Sequence, residues 1–140
     1  MRKRGYQLLL TLVMVVPIGC GPATENGPDT SARAVGLRFF EALLDKDWQS
    51  AYEALCFESQ GRCTKEEFAR RAEQYRKSLG FEPESVHRRS SEEHGNEAII
   101  HVAFTSARSS GRHFFKDAVT LQRGSTSWGV VLPPSFGRRS

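Results

Sequence analysis

Beyond residue 30 the apolar positions of this 140-residue chain change their period once, near residue 85. Val35, Phe39 and Leu43 recur at intervals of four, with Phe40 and Leu44 beside them, which marks one face of a helix from about Ser31 to Leu44. Asp45-Lys46-Asp47 interrupts the stripe, and Asp47 stands where it can cap a second helix. In that helix Trp48, Ala51, Tyr52 and Leu55 keep the i, i+3, i+4, i+7 spacing. Thr64 and Glu67 have the capping-box spacing for a third helix, with Phe68, Ala72, Tyr75 and Leu79 facing inward and Gly80 placed to end it. The period then falls to two. Ile100, Val102 and Phe104 alternate with polar or small residues, as do Phe115, Val119 and Leu121, and then Trp128, Val130 and Leu132 before Pro133-Pro134. Ser85 to Ser90 is a weaker strand, and Gly95, Gly111 and Gly124 fall between the runs where hairpins turn. The expectation is an α+β fold with three N-terminal helices packed on an antiparallel sheet of three to four strands.

The first twenty residues obey a different logic. Arg2, Lys3 and Arg4 precede an apolar run from Leu8 to Ile18 and then Gly19-Cys20. That run is about half of the ~20 apolar residues that a bilayer span requires, so it reads as an export signal rather than a permanent helix. Val16-Pro17-Ile18-Gly19-Cys20 resembles a bacterial lipoprotein signal. The resemblance implies cleavage before Cys20, lipidation of that cysteine, and a protein held on the cell membrane or outer membrane facing the periplasm or exterior. Residues 21–30 are nearly devoid of apolar side chains and read as a flexible tether. The chain thus divides into a signal peptide (1–19), lipidated cysteine and tether (20–30), one α+β domain (31–136) and a short basic tail (137–140).

Export reshapes the charge argument. The formal net charge of +4 includes the three signal cations, and subtracting them leaves +1 for the chain from Cys20 onward. Without a strongly basic mature chain, nucleic-acid binding loses its electrostatic basis. A local excess remains from residue 105 onward, where Arg108, Arg112, Lys116, Arg123, Arg138 and Arg139 face only Asp117. Such a surface can seat a domain on anionic lipid or wall polymer, or be an ordinary solvated strand face.

The order of elements resembles the nuclear transport factor 2-like (SnoaL-like) superfamily. The resemblance is carried by the paired phenylalanines of the first helix, Leu43 to Trp48 with Ala51-Tyr52, the Thr64 to Phe68 helix start and the final Gly124 to Trp128 hairpin. It implies a curved sheet wrapping the helices into a cone with a pocket at its mouth, and a sheet able to pair with a second copy as a homodimer. The superfamily spans isomerases, dehydratases and non-catalytic domains, so it names no activity.

Asp117 is the candidate base of such a pocket. Counting by twos from Phe115 to Leu121 puts it on the apolar face, where a desolvated carboxylate can act as a base; Tyr52 and Tyr75, on inward helix stripes, are candidate donors. An outward bulge or an ion pair would make Asp117 structural, and inward tyrosines more often belong to the core. With Cys20 lipidated, Cys56 and Cys63 form an even pair in an oxidising compartment, and a disulfide closing the loop between the second and third helices is expected. If Val86 pairs with Val102, His87 lies opposite His101, a weak metal arrangement at most. No phosphate loop, nucleophile elbow or zincin motif occurs, and no cofactor or metal is expected. Two functions follow. One is a non-catalytic domain binding a small apolar ligand or an envelope partner. The other is a small general acid/base lyase or isomerase.

Overall fold

The computed structural model describes residues 30–108 and 111–138, without the side chain of Arg108. The signal segment, Cys20, most of the tether and Arg139 lie outside the described residues. Among the described residues four helices precede four strands: α1 (Ala32–Asp45), α2 (Trp48–Glu53), α3 (Phe57–Gly61), α4 (Lys65–Ser78), β1 (Ser85–His94), β2 (Glu97–Arg108), β3 (Gly111–Arg123) and β4 (Trp128–Val131). The α+β class holds, but the count of three helices is corrected to four. Asp47 and Thr64 cap their helices as the sequence predicts, and Ser31 caps α1. Ser31 Oγ accepts from the Ala34 amide at 3.3 Å, Asp47 from Ser50 at 3.1 Å and Thr64 from Glu67 at 3.1 Å, each satisfying an amide that a helix start leaves orphaned. Gly80 takes the left-handed conformation after α4.

α1 ends against a buried cation. Arg76, only 7% exposed, donates to the carbonyls of Leu43 at 3.0 Å and Leu44 at 2.5 Å, and its other nitrogen meets Glu82. The last carbonyls of α1 are therefore satisfied by a residue of α4, which ties the two longest helices together.

The sheet is an antiparallel meander in the order β1-β2-β3-β4. Its inner face, Ala98, Ile100, Val102 and Phe104 of β2 with Val119 and Leu121 of β3, packs against Phe39, Phe40 and Leu43 of α1 and Phe68 and Ala72 of α4 in one core. The α2–α3 link adds to the edge of β4: Cys56 donates to the Val130 carbonyl and Val130 to the Ala54 carbonyl, both at 2.8 Å. Gly129 permits this approach, since a Cβ there would lie 2.5 Å from the Cα of Cys56.

Two sequence expectations are revised by this geometry. β1 pairs with β2 through Val86↔Phe104 and His87↔Ala103, and a bulge between Arg88 and Ser90 shifts the register so that Ser90 faces His101. His87 and His101 are not cross-strand partners. The expected Cys56–Cys63 disulfide is not formed either. α3 stands between the two cysteines, with the Cys56 thiol 3.2 Å from Ser59 Oγ and the Cys63 thiol 3.8 Å from the Ser59 carbonyl. Burial raises the pKa of the Cys63 thiol, which makes it a poor nucleophile. Among the described residues, no helix is long and apolar enough to cross a membrane.

Candidate functional site

Beyond β4 the chain does not leave the domain. Residues 133–138 form a strap across α4, and Arg71 holds it by three carbonyls: Phe136 at 2.8 Å, Pro134 at 3.1 Å and Pro133 at 3.2 Å. The strap delivers Phe136 into the core, where its ring stacks at 4.9 Å on Tyr75 and at 5.9 Å on Phe68. Gly137 closes the contact with φ of 63°, and a Cβ there would lie 2.0 Å from the Arg71 carbonyl oxygen.

An open cavity of about 610 Å³ lies between this strap, α4 and β3. Its apolar wall comes from Phe39, Phe40, Val119, Leu132 and Phe136, and its polar wall from Tyr75 and Asp117. That size and mixture suit a small organic ligand. Asp117 lies on the inner face of β3 as alternation predicts, half-buried, opposite Val102. The Tyr75 hydroxyl donates to Asp117 Oδ2 at 2.5 Å, and the Ala118 amide donates to Oδ1 at 2.7 Å. Burial first, then the negative charge and hydrogen bond of Asp117, raise the pKa of Tyr75 above the tyrosine range, so the phenol keeps its proton.

The remaining sequence-predicted residues do not converge here. The single Tyr52 hydroxyl proton is shared between the Gln60 and Cys63 carbonyls, at 3.0 and 3.1 Å, which holds α3 in place; Tyr52 does not line the cavity. Phe104 is 1% exposed in the core, Trp128 of β4 packs beside Arg123 of β3, and Phe136 forms a wall of the cavity. The cations are spread out: Arg112 and Arg123 stand at opposite ends of β3, roughly 36 Å apart along the strand. Arg138 lines the cavity at its exposed edge. His101 faces Glu92 at 3.7 Å, and among the described residues no cluster of three or more His, Cys, Asp or Glu side chains is assembled for a metal.

Sequence reasoning missed Arg71, the strap and Phe114. Phe114 is 62% exposed on the outer sheet face beside the Lys116 ammonium. A phenylalanine adjacent to the inward Phe115 was the available signal, since alternation forces one of the two outward.

No family model matches the chain, and no curated protein does. The fold is similar to the solution structure of a SEC-C motif containing protein from Rhodopseudomonas palustris, with a TM-score of 0.53 and 14% identity over 72% of this chain and 75% of that one. At that identity the likeness concerns fold alone. It replaces the nuclear transport factor 2-like assignment suggested by element order, because spacing between helices and strands is shared by many α+β arrangements.

Proposed function

We propose that this chain is an exported lipoprotein, anchored through Cys20 and tethered by residues 21–30, whose α+β domain binds a small, largely apolar ligand in the cavity beside the strap. The observation that carries the reading is an open space of about 610 Å³ with the Tyr75–Asp117 pair on its wall. The anchor rests on the order of cations, apolar run and Gly19-Cys20. In a bacterial host, Cys20→Ala is expected to abolish incorporation of an alkyne-tagged fatty acid and to move the protein out of the membrane pellet. Equal labelling of the variant would refute the anchor.

The cavity is tested on the full chain in phospholipid nanodiscs, with unfolding followed by the fluorescence of Trp48 and Trp128. Hexanol is expected to raise the unfolding midpoint saturably, and Gln74→Phe, which fills the cavity from α4, is expected to remove the effect. A rise that persists in Gln74→Phe would place binding elsewhere.

One observation favours a second reading, a lyase or isomerase with Asp117 as general base: Asp117 and a tyrosine converge on one open cavity. Against it, the only phenolic proton of Tyr75 is already committed to Asp117. The two readings part on the molecule recovered from the purified chain. A binding domain returns it unchanged after prolonged incubation, whereas an enzyme converts it and loses that conversion in Asp117→Asn.

A further inference from the structure

We propose that the ligand is an organic cation, an ammonium group on an apolar chain, seated on Asp117; the proposal rests on the cavity being the binding site. The argument is a count of donors and acceptors. Among the described residues that line the cavity, Asp117 is the only carboxylate. Two of its roughly four lone-pair sites are taken, Oδ2 by the Tyr75 hydroxyl and Oδ1 by the Ala118 amide. Each oxygen therefore keeps acceptor capacity. The Tyr75 hydroxyl has spent its proton on Asp117 and offers lone pairs only. At the mouth, Ser78 Oγ gives its proton to the Tyr75 carbonyl at 2.6 Å and is likewise left as an acceptor.

Around Asp117 the polar wall is thus a run of acceptors, Gln74 being the lining side-chain amide that can also donate, and an occupant seated on Asp117 has to bring the protons. An ammonium brings three, together with the charge that complements the carboxylate. The apolar wall of Phe39, Phe40 and Phe136 weakens the competition of water for that pair. The cations of the cavity are at its exposed rim. The Lys77 ammonium sits 3.2 Å from Glu73, and Arg138 is solvent-exposed, so both act through water and salt. A ligand carboxylate would have to sit beside the Asp117 carboxylate, with the half-buried Gln74 amide as the neutral side-chain donor on the wall to receive it.

Hexylamine, hexanol and hexanoate share one chain and differ at the head group, which makes them the test. With the full chain in nanodiscs near pH 7, hexylammonium is expected to half-saturate the rise in unfolding midpoint at a concentration about ten-fold below that of hexanol, with hexanoate weakest. Asp117→Asn is expected to bring hexylammonium level with hexanol. It also controls for partition of the amine into lipid, which the substitution leaves untouched. Equal ranking of the three compounds, or a hexanoate preference, overturns the cation proposal while leaving the cavity as the binding site. Failure of all three to shift the midpoint removes the binding reading itself, and the proposal with it. The ranking in the wild-type chain decides the matter even if Asp117→Asn does not fold.

Discussion

Phe136→Ala lowers the free energy of unfolding by about 3–5 kcal/mol, the range for removing a buried phenylalanine ring. Segments outside helices and strands normally contribute little, because few contacts hold them. Here the ring is 8% exposed and touches three other rings: Tyr75, Phe68 and Phe39, the last at 6.3 Å. Its loss removes that packing and also leaves Arg71 holding a strap with nothing to seat it. Urea unfolding of the full chain measures the effect. A midpoint shift corresponding to less than about 1 kcal/mol would mean that the strap is detached in solution. Phe136→Leu, which keeps much of the volume, is expected to lose considerably less.

Arg76→Met is the second large loss, at about 2–3 kcal/mol. Methionine fits the hydrophobic stem but cannot donate, so the Leu44 carbonyl loses its Arg76 bond at the end of α1, and the Leu43 carbonyl keeps only the Lys46 amide at 3.4 Å. Glu82, 54% exposed, is rehydrated, which is why the loss stays below that of breaking a fully buried ion pair. Arg76→Lys recovers only part of it. A single ammonium cannot span two carbonyls and a carboxylate as the planar guanidinium does. Thermal unfolding should rank wild type above Arg76→Lys and that above Arg76→Met; a lysine variant as stable as wild type would show that charge alone matters at this position.

The parts of the fold that could be read from the sequence are those where one face of an element is wet and the other dry. α1 and α4 show their period because solvent lines one side, and their starts are marked by Ser31 and Thr64. Counting by twos put Asp117 inward for the same reason, since β3 exposes one face and buries the other beyond Phe115. Where that asymmetry fails, so does the reading. α3 is five residues long, buries only Ser59 and exposes Phe57 at 88%, so its apolar pattern is inverted. β1 is an edge strand, mostly exposed, and its bulge breaks the simple count that aligned His87 with His101.

The site divides along similar lines. Asp117 and Tyr75 were visible because each belongs to a periodic element, and the structure joins them. Tyr52 had the same signal, yet its hydroxyl is spent on the carbonyls around α3, a contact between segments that no local pattern encodes. The strap was not visible as a cavity wall. Pro133-Pro134 correctly ends a strand, but nothing local in Ser135-Phe136-Gly137 says that Arg71, more than sixty residues earlier, will hold it. The disulfide expectation failed for a related reason. Spacing and compartment favour pairing, whereas the interposed turn of α3 gives each thiol a partner on Ser59.

Hydrogen–deuterium exchange of the full chain in nanodiscs, with and without saturating hexylamine, tests the central claim most directly. If the cavity beside the strap is the binding site, exchange slows in peptides covering residues 74–79, 117–120 and 132–138 and stays unchanged in β1. Protection confined to the outer sheet face around Phe114, or no change in the strap at a concentration that raises the unfolding midpoint, would contradict it.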